Sequence, residues 1–216
     1  MFGLDKGDKM ESGFYGSSLK CKFEESGLTN TRAIMDKAVR WFKSRSIFVV
    51  AYGTGCGAVE TPPTFTSRYD AERMGVVGVA TPRQADLIIL SGYLAYKTLR
   101  RVIRTYEQMQ KPRYIISLGS CPINGGMYWD SYNTIKQLDD YIPVDVAVAG
   151  CMPRPEAIID GFVLLQERIK NGEKAGWEKY DENLKFYKDN QKRVLGGHVD
   201  PAYETDWYNL DGGGIA

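Results

Sequence analysis

The chain has 216 residues, of which 43% are apolar, and this is enough apolar material for one globular domain with extensions. Its 28 basic residues nearly balance its 27 acidic residues, and no long run of one sign occurs. The charge therefore gives no indication of a nucleic-acid partner or of affinity for an anionic lipid surface.

The chain begins with a polar extension. Residues 1–30 are rich in glycine, serine and charge, and they lack the apolar core of a signal peptide. An amphipathic pattern then predicts a helix over 31–45 that leads into the domain, so we assign 1–43 to an N-terminal extension. No stretch is apolar for the roughly 18 residues that span a bilayer, and we expect a cytoplasmic chain that can dock on a membrane protein.

Strand and helix patterns alternate through the middle of the chain. Short apolar runs predict buried parallel strands over 46–52, 85–92, 113–119 and 144–150. Helical patterns lie over 66–75, 93–110, 130–141 and 154–172. This alternation predicts an α/β fold over 44–172, in which helices cover both faces of a doubly wound parallel sheet.

The C-terminal region, 173–216, is polar but rich in aromatic residues. These are Trp177, Tyr180, Phe186, Tyr187, Tyr203, Trp207 and Tyr208. Aromatic residues at this density are not typical of disorder, so we expect a docking tail that lies across its own domain or a partner.

Three cysteines each follow a predicted strand and a glycine. They end the sequences "VVAYGTGC" (Cys56), "IISLGSC" (Cys121) and "VAVAGC" (Cys151). Ligand sites of open parallel sheets lie at the carboxyl ends of the strands, so we expect the three thiols to converge. Three thiolates in one place suit a soft metal, above all an iron-sulfur cluster.

The surrounding residues leave some alternatives open. Glycines near the cysteines would let the backbone approach a bulky inorganic group; they are Gly53, Gly55, Gly57, Gly119, Gly125, Gly126 and Gly150. Zinc also accepts thiolates, but its structural sites usually contain close cysteine pairs, and no CxxC occurs here. Free cysteines can also be inert buried residues. Cys21 lies in the different context "SLKCKFEES", where an ordinary thiol is favoured over a further ligand.

The segments "GTGCGAVE", "RYDAERMG", "PRQADLIILSG", "YEQMQKPRYIISLGSCPINGG" and "IPVDVAVAGCMPRPEAIIDG" carry a family resemblance. Between about Ser44 and Gly172 the chain resembles the cluster-bearing small subunit of respiratory complex I and membrane-bound nickel-iron hydrogenases. The resemblance implies a flavodoxin-like domain with one 4Fe-4S cluster. It also implies three kinds of partner: a complex I-like or hydrogenase-like large subunit, a ferredoxin-like two-cluster subunit, and membrane-embedded ion-pumping subunits. The chain would be peripheral, on the cytoplasmic side of the membrane.

The chain departs from this family at two points. Four cysteines ligate the cluster in the family, and Cys56, Cys121 and Cys151 match three of them. Gly57 stands where complex I members carry the second of two adjacent cysteines, which leaves one iron without its thiolate. In complex I members a continuous helix follows, whereas Pro62 and Pro63 are expected to break it by forcing Thr61 out of helical angles.

Both departures resemble the branch of membrane-bound sulfane sulfur reductases. That resemblance implies that polysulfide is reduced at a three-cysteine cluster with an open iron, with electrons arriving from ferredoxin-type clusters. Gly57 would leave room there, and Glu60 would pass protons or tune the potential, although Glu60 is equally well explained as an acid at a helix start. Arg83 and Arg154 are candidates for positive charge near the site. His198 is interpreted as a surface residue.

Two other functions remain open. The chain could instead serve as a pure electron relay in a quinone-reducing or hydrogenase-like complex, with Cys21 or Glu60 completing the cluster. The third possibility is an interaction subunit whose site is vestigial or binds zinc.

Overall fold

The structure, a computed structural model, describes residues 29–195. Five strands form one sheet in the order β2-β1-β3-β4-β5, and every pairing between neighbours is parallel. The strands are β1 (Ile47–Gly53), β2 (Val76–Gly78), β3 (Leu87–Ser91), β4 (Tyr114–Leu118) and β5 (Val146–Val148). This strand order is that of the flavodoxin-like fold, and it confirms the predicted fold class.

Seven α-helices accompany the sheet within the described residues. They are α1 (Thr29–Ser44), α2 (Gly57–Thr64), α3 (Tyr96–Gln108), α4 (Ser120–Asn124), α5 (Pro155–Asn171), α6 (Gly176–Glu182) and α7 (Leu184–Leu195). Within residues 29–195, no helix is long and apolar enough to cross a membrane.

Two apolar clusters bury the two faces of the sheet. On one face, α3 packs Leu99, Val102 and Tyr106 against the strands, as its pattern predicts. On the other face, α5 packs Ile158 and Phe162 against them. Apolar area is removed from water on both sides, which is why β3 and β4 read as continuous apolar runs in the sequence.

Strand β2 was not predicted from the sequence. It has three residues and pairs only with β1, where Ile47 lies opposite Val76. Only two apolar residues precede Gly78 in this strand, which is too few for a pattern to stand out from the surrounding loop.

The helix predicted over 130–141 is wrong. The segment instead forms an isolated antiparallel bridge between Thr134 and Ala95, and the Ile135 amide donates to the Leu94 carbonyl at 2.8 Å. Ile135, Leu138 and Ile142 are buried at helix-like spacing, but their backbone bonds partly to other loops. The prediction over 66–75 was also too long, since only a 3-10 turn, Ala71–Met74, forms there.

The expected break at the two prolines is also wrong. Helix α2 contains both Pro62 and Pro63, and Thr61 is helical. Because Pro62 and Pro63 carry no amide hydrogen, the helix lacks two of its backbone bonds and closes instead through the amides of Phe65 and Thr66, which donate to the carbonyls of Pro62 and Pro63 at 3.0 and 3.1 Å. Hydroxyls add local bonds, because Thr61 Oγ1 donates to the Gly57 carbonyl at 2.8 Å and Thr64 Oγ1 donates to Glu60 O at 3.3 Å.

The first part of the C-terminal region packs on the domain. Tyr180 in α6 and Tyr187 in α7 are buried in the same apolar cluster as α3, with their rings 5.1 Å apart. Tyr203, Trp207 and Tyr208 lie outside the described residues. The division of the chain at 43 and 172 stays a prediction.

Candidate functional site

The sheet brings three cysteines to its carboxyl edge. Cys56 follows β1 and directly precedes α2, Cys121 lies in α4 directly after β4, and Cys151 follows β5. None forms a disulfide; Cys56 and Cys151 are exposed and Cys121 is half-buried. Because all strands are parallel, residues far apart in sequence meet at one edge.

Backbone hydrogen bonds join the loops that carry the cysteines. The Thr54 amide and its hydroxyl both donate to the Ser91 carbonyl, at 2.8 and 2.9 Å, and so tie the loop after β1 to the end of β3. The Ser120 amide donates to the Gly150 carbonyl at 2.8 Å, which ties the loop after β4 to the loop after β5. These bonds fix the spacing of the cysteine loops without using the thiols.

The electrostatics of Cys121 indicate that the three thiols are neighbours. Burial raises the pKa of the Cys121 thiol above its usual value, and a hydrogen bond from the Met127 backbone opposes that rise. The charges of Cys151 and Cys56 also raise the pKa of Cys121. A site that holds three thiolates must therefore supply compensating positive charge, which a bound metal centre would provide.

The loops leave space for a group larger than one ion. A depression of about 580 Å³ is lined by Ser120, Asn124, Gly126, Met127, Trp129 and Cys151. Gly126 has a φ of 49°, and a Cβ there would lie 3.2 Å from Cys121 Sγ, crowding the sulfur. A glycine at this position keeps the sulfur accessible from that side.

Three thiols from separate loops are compatible with the ligands of a cluster. Within residues 29–195, no three His, Cys, Asp or Glu side chains are grouped closely enough to hold one metal ion. Zinc requires all of its sulfur ligands at about 2.3 Å from one centre. A 4Fe-4S cluster instead spreads its cysteine ligands over separate irons, so it tolerates thiols that are farther apart.

Gly57 was expected to leave room beside the cluster, but Ser91 occupies the space into which a side chain at residue 57 would extend. A Cβ at Gly57 would lie 2.4 Å from Ser91 Cβ and 2.5 Å from both Ser91 Oγ and the Ser91 carbonyl carbon. Carbon atoms cannot approach so closely without overlap. The room expected at Gly57 is therefore absent in this direction, and a glycine is what allows α2 to pack against the end of β3.

Sequence reasoning missed Ser91 and Thr61, which surround Gly57. Both side chains are buried, and Thr61 Oγ1 lies 3.4 Å from Ser91 Oγ in a hydrogen bond. One signal was present, because Ser91 is the polar residue that ends the apolar run "LIIL" directly before a glycine. That position matches the strand ends from which the cysteines follow.

Glu60 lies in the first turn of α2, half-buried. It follows Cys56 by four residues, so the two side chains share one face of the helix. The position suits an acid beside the site, and it also suits an acid that complements the helix dipole.

The other candidates fall elsewhere. Arg154 caps the start of α5, three residues after Cys151, and its side chain is exposed at the carboxyl edge. Arg83 precedes β3 and so lies at the amino edge, away from the cysteines, because that is where a parallel strand begins. Cys21 and His198 lie outside the described residues.

Comparison with known proteins identifies the family. The sequence profile of "NADH ubiquinone oxidoreductase, 20 Kd subunit" matches residues 53–165. The chain is 41% identical over 183 residues to an NADH-quinone oxidoreductase subunit of Pelodictyon phaeoclathratiforme, an alignment that covers 83% of this chain and 92% of that one. It is 44% identical over 137 residues to the protein of the same name from Amoebophilus asiaticus, covering 63% and 86%.

A solved structure is also similar. It is a chain in the structure of the membrane-bound sulfane sulfur reductase, an archaeal respiratory membrane complex, with a TM-score of 0.74 and 50% sequence identity. The match covers 80% of this chain and 98% of the other. The chain therefore belongs to the family of the 20 kDa subunit of NADH ubiquinone oxidoreductase, and it is an oxidoreductase subunit.

Proposed function

We propose that this member of the 20 kDa subunit family holds one 4Fe-4S cluster through Cys56, Cys121 and Cys151. We further propose that the complex to which it belongs reduces sulfane sulfur, such as polysulfide, beside this chain. The 50% identity to a chain of the sulfane sulfur reductase supports this specificity.

The packing of Gly57 is the observation that carries the proposal. Ser91 occupies the direction in which residue 57 would extend a side chain, so a cysteine next to Cys56 would require α2 or the end of β3 to shift. The missing fourth thiolate is therefore part of how α2 packs against β3. A metal site with fewer protein ligands than its metal requires keeps a position for substrate.

The residues of this chain have separable roles in the proposal. When bound, a 4Fe-4S cluster supplies one-electron transfer and, at an iron without thiolate, a position for a soft sulfur ligand. Cys56, Cys121 and Cys151 hold it with thiolates from three separate loops. Glu60, one turn from Cys56, would pass a proton through its carboxylate to the sulfide that leaves when an S–S bond is reduced.

Electrons and partners come from the rest of the complex. Reduction of one S–S bond consumes two electrons, which ferredoxin-type clusters of a partner subunit supply. A complex I-like or hydrogenase-like large subunit would cover the exposed thiols, and ion-pumping subunits would lie in the membrane. The chain itself would sit peripherally on the cytoplasmic side.

An electron-relay subunit is the second candidate. It is favoured by the names of the two relatives, which are quinone oxidoreductase subunits, and by their coverage of most of this chain. In that role the fourth ligand would be Glu60 or Cys21, and the electron acceptor would be a quinone bound to another subunit.

The first experiment measures the cluster. The complex is prepared without oxygen, iron and acid-labile sulfide are assayed, and an EPR spectrum of the reduced protein is recorded. We expect the signal of a 4Fe-4S cluster that is lost in Cys121→Ser. Absence of iron and sulfide in the wild-type subunit would overturn the proposal.

The second experiment separates the two candidates. Polysulfide added to the reduced complex should change the EPR signal of this cluster and release sulfide, whereas a quinone analogue should do neither. Glu60→Gln should leave the signal unchanged before polysulfide is added, because Glu60 is not a ligand. A spectrum that ignores polysulfide but changes in Glu60→Gln would favour the relay.

A further inference from the structure

Helix α1 carries its apolar face on the outside of the domain. Five large apolar side chains are exposed; they are Ile34 (64%), Met35 (60%), Val39 (48%), Trp41 (45%) and Phe42 (64%). At 100° per residue they occupy a single arc of the helix, together with Ala38. An apolar patch of this kind on a soluble domain indicates a binding surface.

The opposite side of α1 faces the domain. Arg40 lies so close to Gly172 that a Cβ there would be 2.4 Å from its Nη1, and Gly172 ends α5. Arg40 and Lys43 line a cleft with Arg168 and Trp177, and Ser44 is buried. The basic side of the helix therefore faces the domain, which is the reverse of an ordinary surface helix.

Positive charge borders the apolar arc. By helical spacing, Arg32 lies beside Val39 on one flank and Lys37 lies beside Trp41 on the other, and both are exposed. The helix has four basic residues and one acidic residue, and Arg45 follows it directly. The near-neutral charge of the whole chain conceals this local excess.

We propose that α1 lies in the surface of a bilayer that contains anionic lipid, with its apolar arc among the acyl chains. An apolar arc with Trp and Phe, flanked by Lys and Arg, is the pattern of helices that bind at the membrane interface. Anionic head groups match the flanking cations. A protein partner is the alternative, because the centres of protein interfaces also favour aromatic residues. Such interfaces are depleted in lysine, however, and they do not require cations along the border of the apolar area.

This contact would orient the domain on the membrane. Only two residues separate the end of α1 at Ser44 from the start of β1 at Ile47, so a helix fixed in the bilayer surface would fix the sheet as well. The inference does not depend on the cluster or on its substrate, because it rests on α1 alone.

Vesicle flotation with the full-length subunit tests the proposal. Vesicles of phosphatidylcholine with one quarter phosphatidylglycerol are compared with vesicles of pure phosphatidylcholine, at low and at high salt. We expect binding to the anionic vesicles that weakens with salt, and about tenfold weaker binding to the neutral ones.

Two double variants with the same change of charge provide the comparison. Val39→Glu/Phe42→Glu places charge in the apolar arc and should lower vesicle binding about tenfold or more. Leu184→Glu/Phe186→Glu alters residues of α7 that are also exposed, and it should bind like the wild type. Thermal melts of both variants confirm that they fold.

Two results would overturn the proposal. One is a wild-type subunit that does not bind anionic vesicles. If Val39→Glu/Phe42→Glu then still prevents assembly of the complex, the apolar arc would be assigned to a protein partner. The other is equal loss of binding in both double variants. Neither result would affect the EPR experiments on the cluster.

Discussion

The two edges of the sheet hold their polar groups in different ways. At the amino edge, Asp145 accepts hydrogen bonds from the amides of Ile115 at 2.8 Å and Gly176 at 2.7 Å, and Asp86 accepts one from Phe48 at 3.3 Å. At the carboxyl edge, the thiols of Cys56 and Cys151 are exposed. The amino edge thus uses carboxylates to satisfy backbone amides, whereas the carboxyl edge leaves two thiols accessible.

Replacing a cysteine gives the largest expected effect, and it should act on function alone. Cys121→Ser should abolish iron binding and lower activity by more than about 100-fold, because a ligand contributes more than the residues that support it. The stability of the iron-free chain should change by less than about 0.5 kcal/mol, as for most substitutions outside a packed core. Iron assay and urea unfolding measure the two effects, and a variant that keeps its iron would contradict the assignment.

Removing the Asp145 carboxylate should have the opposite effect. Asp145→Ala leaves two part-buried amides without an acceptor, and we expect a loss of about 2–5 kcal/mol in the free energy of unfolding. Asp145→Asn keeps one acceptor oxygen and should lose less. Urea unfolding of the iron-free chains measures the difference, and equal stability of Asp145→Ala and wild type would remove the distinction between the edges.

Gly57 tests whether the carboxyl edge also contains a packing constraint. Gly57→Ala should cost about 1–3 kcal/mol through overpacking against Ser91. Ser91→Gly in the same chain should restore only part, since the Ser91 carbonyl carbon remains 2.5 Å from the new Cβ. Gly78→Ala is the control, because nothing lies within 4 Å of a Cβ there. A melting temperature of Gly78→Ala below that of Gly57→Ala would oppose the packing explanation.

Alkaline pH should reveal a smaller effect at the amino edge. Burial, followed by the negative charges of Asp145, Asp86 and Glu178, raises the pKa of Tyr114 to about 12. The folded state therefore keeps this proton while the unfolded chain loses it near its ordinary pKa of about 10. The contribution of protonated Tyr114 to the free energy of unfolding is fully present below about pH 10 and is lost as the pH rises through about 12.

Tyr114→Phe isolates that contribution. Between about pH 9 and pH 12 we expect the free energy of unfolding of the variant to fall by about 1 kcal/mol less than that of wild type. The difference is small because Tyr114 is only half-buried, so solvent screens its charge. Urea unfolding at the two pH values measures it. Identical pH profiles for the two chains would show that Tyr114 does not titrate differently in the folded state.

Local patterns were sufficient for the main elements of the domain. The apolar runs of β1, β3 and β4 and the periodicity of α3 and α5 were predicted because each is long enough to show its own pattern, and the three residues of β5 were found because they lie within the longer apolar run 144–150. The segment 130–141 was not, because its apolar residues share helical spacing while its backbone forms hydrogen bonds with Leu94, Tyr96 and Pro122. Such bonds depend on distant residues.

The candidate site divides in the same way. The order of strands and cysteines along the chain was enough to predict that Cys56, Cys121 and Cys151 meet at one sheet edge, since short loops after parallel strands all open there. The chain gives no comparable signal that Ser91 fills the side-chain direction of Gly57 or that α1 turns its apolar arc outward. Both features arise from contacts between elements distant in sequence, at separations that no local period records.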